Sequence, residues 1–162
     1  MKNMNISIKS RLLRIFLDIT ALGGISYFIY VFSRYIKSQK AINIKICIIL
    51  FILILGFSSL IYMIVNLRRI LKSLLEDNPF TWENVKRIKA VSKSAFIISI
   101  CYLINILLNN KIFKIKLVTI DNFGIHTDLD FLIFFIAACF IYILAKVFEK
   151  AVIYKGENDL TI

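Results

Sequence analysis

The chain has 162 residues, of which 59% are apolar, and a mean hydropathy of +0.80; a water-soluble domain carries roughly 45 to 50% apolar residues, so a soluble globule is a poor reading. Five glycines and one proline leave few places to break a helix, which points to long helices in lipid. The net charge of +11 argues no direct nucleic-acid binding, because the 21 basic residues stand mostly between the apolar runs, where they serve as topogenic flanks and hold anionic head groups of a lipid bilayer.

The first apolar run, Leu12 to Phe32, follows Lys2, Lys9, Arg11 and Arg14. It is longer than the roughly 7 to 15 apolar residues of a secretory signal core and lacks a small-residue cleavage pattern, so it reads as a retained span over about 12–33. Asp18 lies inside it, and an ionisable residue in a span is a functional candidate by default. It falls four residues after Arg14, and Lys146 near the end of the last span is a second partner. Charge pairing among Arg14, Asp18 and Lys146 is expected in preference to a proton or ion path, since no second acid lies at similar depth.

An outer loop over 34–45 follows, in which Ala41, Ile42, Asn43 and Ile44 alternate as a strand would. The second span, 46–67, is interrupted only by Gly56, Ser58, Ser59 and Asn66, and some 20 residues cross the hydrocarbon once. Beyond it, Leu67, Ile70, Leu71 and Leu74 fall on one helix face; before the third span, Val85, Ile88, Val91 and Ala95 do the same. The two stripes predict a helical hairpin over 67–94, standing in the cytosol with its stripes packed together and its outer surface basic. At its tip Pro79 forces Asn78 out of helical geometry, Thr81 can cap the next helix, and Glu83 complements the helix dipole. Phe80 and Trp82 have no part in that stop and restart.

The third span covers about 93–110. In the second outer loop, 111–127, the alternation from Lys114 to Leu117 and the β-prone Val118, Thr119 and Ile120 precede an Asp121-Asn122 turn, which predicts a small extracellular β element. Thr127 to Asp130 has the form of a capping box at the head of the fourth span, 129–148. A tail over 149–162 ends the chain. Fourteen Lys and Arg fall on the side of the termini and hairpin against seven on the other, which places the N- and C-termini in the cytoplasm. The fold class predicted is an all-α membrane protein, a four-transmembrane-helix bundle in one domain.

No catalytic constellation accompanies it. His126 stands near Asp121, Asp128 and Asp130, but one imidazole with loosely spaced carboxylates reads as a polar loop and not a metal site. Cys47, Cys101 and Cys139 are an odd number of dispersed thiols that pack as small hydrophobes. Neither a nucleophile beside a base nor two converging carboxylates can be found, so no enzyme and no cofactor is expected.

The stretch Arg69-Ile70-Leu71-Lys72-Ser73-Leu74, then Asn78-Pro79-Phe80-Thr81 and Glu83-Asn84-Val85-Lys86-Arg87-Ile88, resembles the signature of the YoaS-like bacterial membrane proteins, the domain of unknown function 2975 family. Leu144-Ala145-Lys146-Val147-Phe148 and Glu157-Asn158-Asp159-Leu160-Thr161-Ile162 are similar to that family's C-terminus, with Ala151 where many members carry Gly. The resemblance implies a four-span protein of the bacterial cell membrane, encoded in many cases beside a Cro/CI-type helix-turn-helix regulator, which would be its cytosolic partner. The expected partner-binding residues are Asn78, Pro79, Phe80, Thr81, Trp82, Glu83 and Asn84 at the tip, with Glu157, Asn158, Asp159 and Leu160 in the tail. The acidic tail is complementary to the basic hairpin and either folds back on it or leaves one surface for a partner; effective concentration favours folding back. The leading expectation is a non-enzymatic regulatory or scaffold protein. The alternative is a small transporter, or an immunity-type protein against membrane-active compounds.

Overall fold

The computed structural model describes residues 2–38, 43–75, 79–109, 119–121, 124–127 and 129–159. Four long helices make up nearly all of it: α1 (Lys2–Ser38), α2 (Ile44–Leu75), α3 (Trp82–Leu108) and α4 (Asp130–Asp159). All four are long and apolar enough to cross a membrane. At 1.5 Å per residue α2 is about 48 Å long and α4 about 45 Å, against roughly 30 Å of hydrocarbon. Each therefore continues unbroken past the bilayer, and the hairpin is the far end of α2 and the near end of α3 rather than a separate pair of helices.

Successive helices run antiparallel, so the N-terminus of α1, the C-terminus of α2, the N-terminus of α3 and the C-terminus of α4 share one end. The extensive packings join α1 to α2, α2 to α3, and α3 to α4; α1 makes none comparable with α3 or α4. The predicted bundle is thus a row in sequence order, bent enough that Phe28 of α1 and Phe134 of α4 line one cavity with α2 and α3. Lipid explains why a row suffices. In hydrocarbon there is no hydrophobic penalty for the outward faces, and Leu22, Ile19, Ile133 and Phe140 lie exposed along α1 and α4.

The inner helix α3 carries most of the buried residues, among them Val85, Ile88, Val91 and Ala95, the stripe predicted from periodicity. The matching α2 stripe is only half-buried, and Leu74 is 39% exposed. Against α4, small residues let the backbones approach. Phe131, Ala138, Ala145 and Val152 recur every seven residues on α4, as do Val85, Ser92 and Ser99 on α3, the spacing of a left-handed seam. Ser92 Oγ donates to the Ala138 carbonyl at 2.9 Å and Ser99 Oγ to the Phe131 carbonyl at 2.7 Å, so two hydroxyls bridge helices where water is absent. Aromatic pairs complete the row: Phe28 stacks on Phe57 at 4.0 Å and Tyr102 on Phe134 at 5.6 Å.

Several sequence expectations are corrected here. Asn43 and Ile44, part of the alternating stretch, belong to the head of α2, where Asn43 Oδ1 accepts from the Ile46 N–H at 3.0 Å; Ala41 and Ile42 lie outside the described residues. An N-cap outcompetes a lone strand that has no partner. Thr127 Oγ1 accepts from the Leu129 N–H at 3.1 Å, two residues on, and does not make the predicted capping-box bond to the third residue. Two three-residue strands, β1 (Thr119–Asp121) and β2 (Gly124–His126), pair antiparallel with Ile120 opposite Ile125; the stretch 111–118 lies outside the described residues. The predicted tail is no separate element, since α4 runs on to Asp159 through Ala151 and Gly156. Val152 is buried along this stretch, and Leu160, Thr161 and Ile162, the end of the tail expected to meet the hairpin, lie outside the described residues.

Candidate functional site

Most of the residues singled out from sequence converge on the end of the row where α2 stops and α3 starts. Pro79 and Thr81 set the turn, with the Thr81 N–H donating to the Pro79 carbonyl at 3.2 Å. Thr81 then has extended backbone, φ −131° and ψ 150°, and its Oγ1 accepts from the Asn84 N–H at 3.2 Å. That is the predicted N-cap. Glu83 sits in the first turn of α3 and pairs with Arg87 one turn on. Asn78 lies outside the described residues.

Asn84 is not a partner-facing residue as expected; it is 1% exposed. Its Nδ2 donates to Ser73 Oγ at 2.7 Å and to the Pro79 carbonyl at 2.8 Å, while its Oδ1 accepts from Arg87 Nη1 at 3.3 Å. One side chain thereby ties α2, the turn and α3 together. Arg87 Nη1 also donates to the Arg69 carbonyl at 3.2 Å, a second tie from an α3 side chain to α2. Arg69, Ser73 and Arg87 lie in the stretches that carry the family resemblance, but local sequence alone assigns them no part in the turn.

The two aromatics behave differently. Phe80 is 43% exposed and its ring meets Phe148 of α4 at 5.7 Å. Trp82 is 51% exposed. The tip is therefore a rigid cap that presents two aromatic rings at its surface. Glu157 and Asn158 are exposed on the last turns of α4, Asp159 ends that helix, and Leu160 lies outside the described residues.

The charge pairs differ from those expected. Asp18 Oδ1 meets Arg68 Nε of α2 at 3.1 Å, neither Arg14 nor Lys146. Helical side chains lean toward the N-terminus, so a base four residues ahead of an acid leans away from it, and α4 makes no extensive packing with α1. Lys146 instead pairs with Glu149 at 2.9 Å, which Lys89 of α3 also meets at 3.0 Å. Because this pair joins α1 to α2, Asp18→Asn should lower stability in detergent by about 1 kcal/mol, the scale of a polar contact between helices in a membrane. Thermal unfolding of the purified variant checks it; loss of all folded protein would mean the pair does more than hold α1 to α2.

Behind the turn, Arg14, Arg68, Arg69, Lys72 and Arg87 line a cavity of about 650 Å³ with Glu83 and Thr81. A groove of about 740 Å³ between α2 and α3 is lined by Ser58, Ser59, Tyr62 and Ser94 with Lys86, Lys89 and Lys93. Deeper in the row, the cavity shared by all four helices, about 430 Å³, is apolar apart from Asn105, Tyr102 and Cys101. Among the described residues no group of three or more His, Cys, Asp and Glu side chains could hold a metal ion. Cys47, Cys101 and Cys139 are free thiols on three different helices.

Four apolar helices in antiparallel alternation, each long enough to cross a bilayer, with a polar turn at one end, define a multi-pass α-helical membrane protein. The chain belongs to the family described as Protein of unknown function (DUF2975), whose family model matches residues 13–162. Neither the curated proteins nor the solved structures provide a match.

Proposed function

We propose that this is a non-enzymatic regulatory or scaffold protein of the bacterial plasma membrane, which docks a cytosolic protein on its hairpin end. The observation that carries the reading is the pair of exposed rings, Phe80 and Trp82, held on a turn that Thr81 and Asn84 lock. Rigid aromatic anchors supply contact area at small entropic cost, and such residues dominate the energy of interfaces. The excess of Lys and Arg at this end supports a cytoplasmic location for it and for both termini; β1 and β2 are then extracellular. The family resemblance makes a Cro/CI-type helix-turn-helix regulator the first partner to try.

The test is co-purification of that regulator with the full chain in detergent. Wild type should retain it, and Phe80→Ala with Trp82→Ala should weaken retention by roughly tenfold or more. Failure of the wild type to bind would overturn the regulator as partner.

A second reading, a small transporter, has one observation in its favour: the α2–α3 groove brings Ser58, Ser59 and Tyr62 into an otherwise apolar stretch. Against it, α2 and α3 run unbroken through that depth, whereas substrate sites of transporters form where helices are interrupted. Asp18, the acid that first suggested a path, is tied to Arg68.

A further inference from the structure

The chain draws its positive charge mainly from lysine, 15 residues against 6 arginines. Four of those six arginines, Arg14, Arg68, Arg69 and Arg87, nevertheless line a single cavity at the hairpin end, together with Lys72. Topogenic flanking needs charge alone, which lysine supplies. What arginine adds is a planar fork of donors that matches the oxygens of a phosphate and holds them two at a time.

Among the described residues, carboxylates pair with two of these arginines. Glu83 engages Arg87, and Asp18 holds Arg68 at 3.1 Å. Among the described residues the guanidinium groups of Arg14 and Arg69 meet no carboxylate. Arg14 comes from α1, Arg69 from α2 and Arg87 from α3, so three helices converge on the space. Such convergence of like charge opposes folding unless an anion relieves it. The cavity, about 650 Å³, is roomy enough for a phosphate-bearing group.

We propose that this cavity is a phosphate-binding site, with Arg14 and Arg69 as its principal donors. The phosphate comes either from an anionic phospholipid at the membrane surface or from a soluble phosphorylated compound. The proposal is independent of the docking reading and of which side of the membrane the hairpin occupies.

The only tryptophan of the chain, Trp82, stands between Thr81 and Glu83 of the cavity wall and reports binding by its fluorescence. The full chain is placed in nanodiscs of phosphatidylcholine, into which phosphatidylglycerol is introduced in one arm and to which inorganic phosphate is added in the other. A saturable response is expected. Saturation in the lipid arm alone assigns the headgroup as source; saturation with inorganic phosphate assigns a soluble one. In the responding arm, Arg14→Gln with Arg69→Gln should weaken the apparent affinity by about tenfold or more, while Lys150→Gln with Lys155→Gln, of equal charge change at the same end, should leave it unchanged. If the arginine pair is not recovered folded, Arg14→Lys with Arg69→Lys keeps the charge and removes the forks, and must still weaken binding. No saturable response in either arm, equal weakening by both Gln pairs, or unaltered affinity of the Lys pair would each overturn the site.

Discussion

Ala145→Leu should cost about 3 kcal/mol and leave little of the chain monodisperse in detergent, because Ala145 is 0% exposed in the α3–α4 seam. Over-packing a close-fitted interior costs typically 1 to 3 kcal/mol and at times more. Here the displaced helix also carries away the Ser92 and Ser99 bonds to α4, each worth roughly 0.6 kcal/mol in a membrane. Ile143→Leu, two residues away on an exposed position, is the control and should change nothing. Thermal unfolding followed by size-exclusion chromatography decides the matter; an Ala145→Leu protein as stable as wild type would show that the seam is not closely packed.

The second large effect is expected at Asn84. Asn84→Ala removes two donated bonds and one accepted bond at a buried position, leaving the Pro79 carbonyl without that donor, for a cost of about 2 to 4 kcal/mol. Asn84→Asp keeps an acceptor for Arg87 but sets a carboxylate against the Pro79 carbonyl, so it should be no better than Ala. The readout is local: amide hydrogen exchange in the first turns of α3 should accelerate by roughly a hundredfold or more, with exchange near Ser99 far less affected. Uniform acceleration along α3 would instead make Asn84 a global fold determinant.

The turn itself was legible in the sequence. Pro79, Thr81 and Glu83 announce a stop and a capped restart by local chemistry alone, and the Val85, Ile88, Val91, Ala95 stripe announces the buried face of α3. Asn84 was not, because an asparagine in the first turn of a helix reads as surface; only the approach of Ser73 from α2 makes it a buried tie. The Asp18 pairing misled for a reason that could have been weighed: a base preceding an acid by four residues is the weaker order on a helix. The unbroken course of α4 had a signal too, since no proline and only Gly156 interrupts the stretch after Asp130. The row order had almost none. Lipid-facing and helix-facing apolar residues are chemically alike, and only the small residues Ala138 and Ala145, seven apart, hinted at where α4 meets α3.

A row in which every spatial neighbour is also the neighbour in the chain has a bearing on biogenesis. Each helix, on leaving the ribosome, finds its docking partner already inserted, and no vacancy has to be kept open for a segment still to be made. The connections from α1 to α2 and from α2 to α3 are short, so closing those contacts costs little chain entropy. Of the four helices α4 emerges last, and its arrival completes the most extensive packing, the seam that covers the far side of α3.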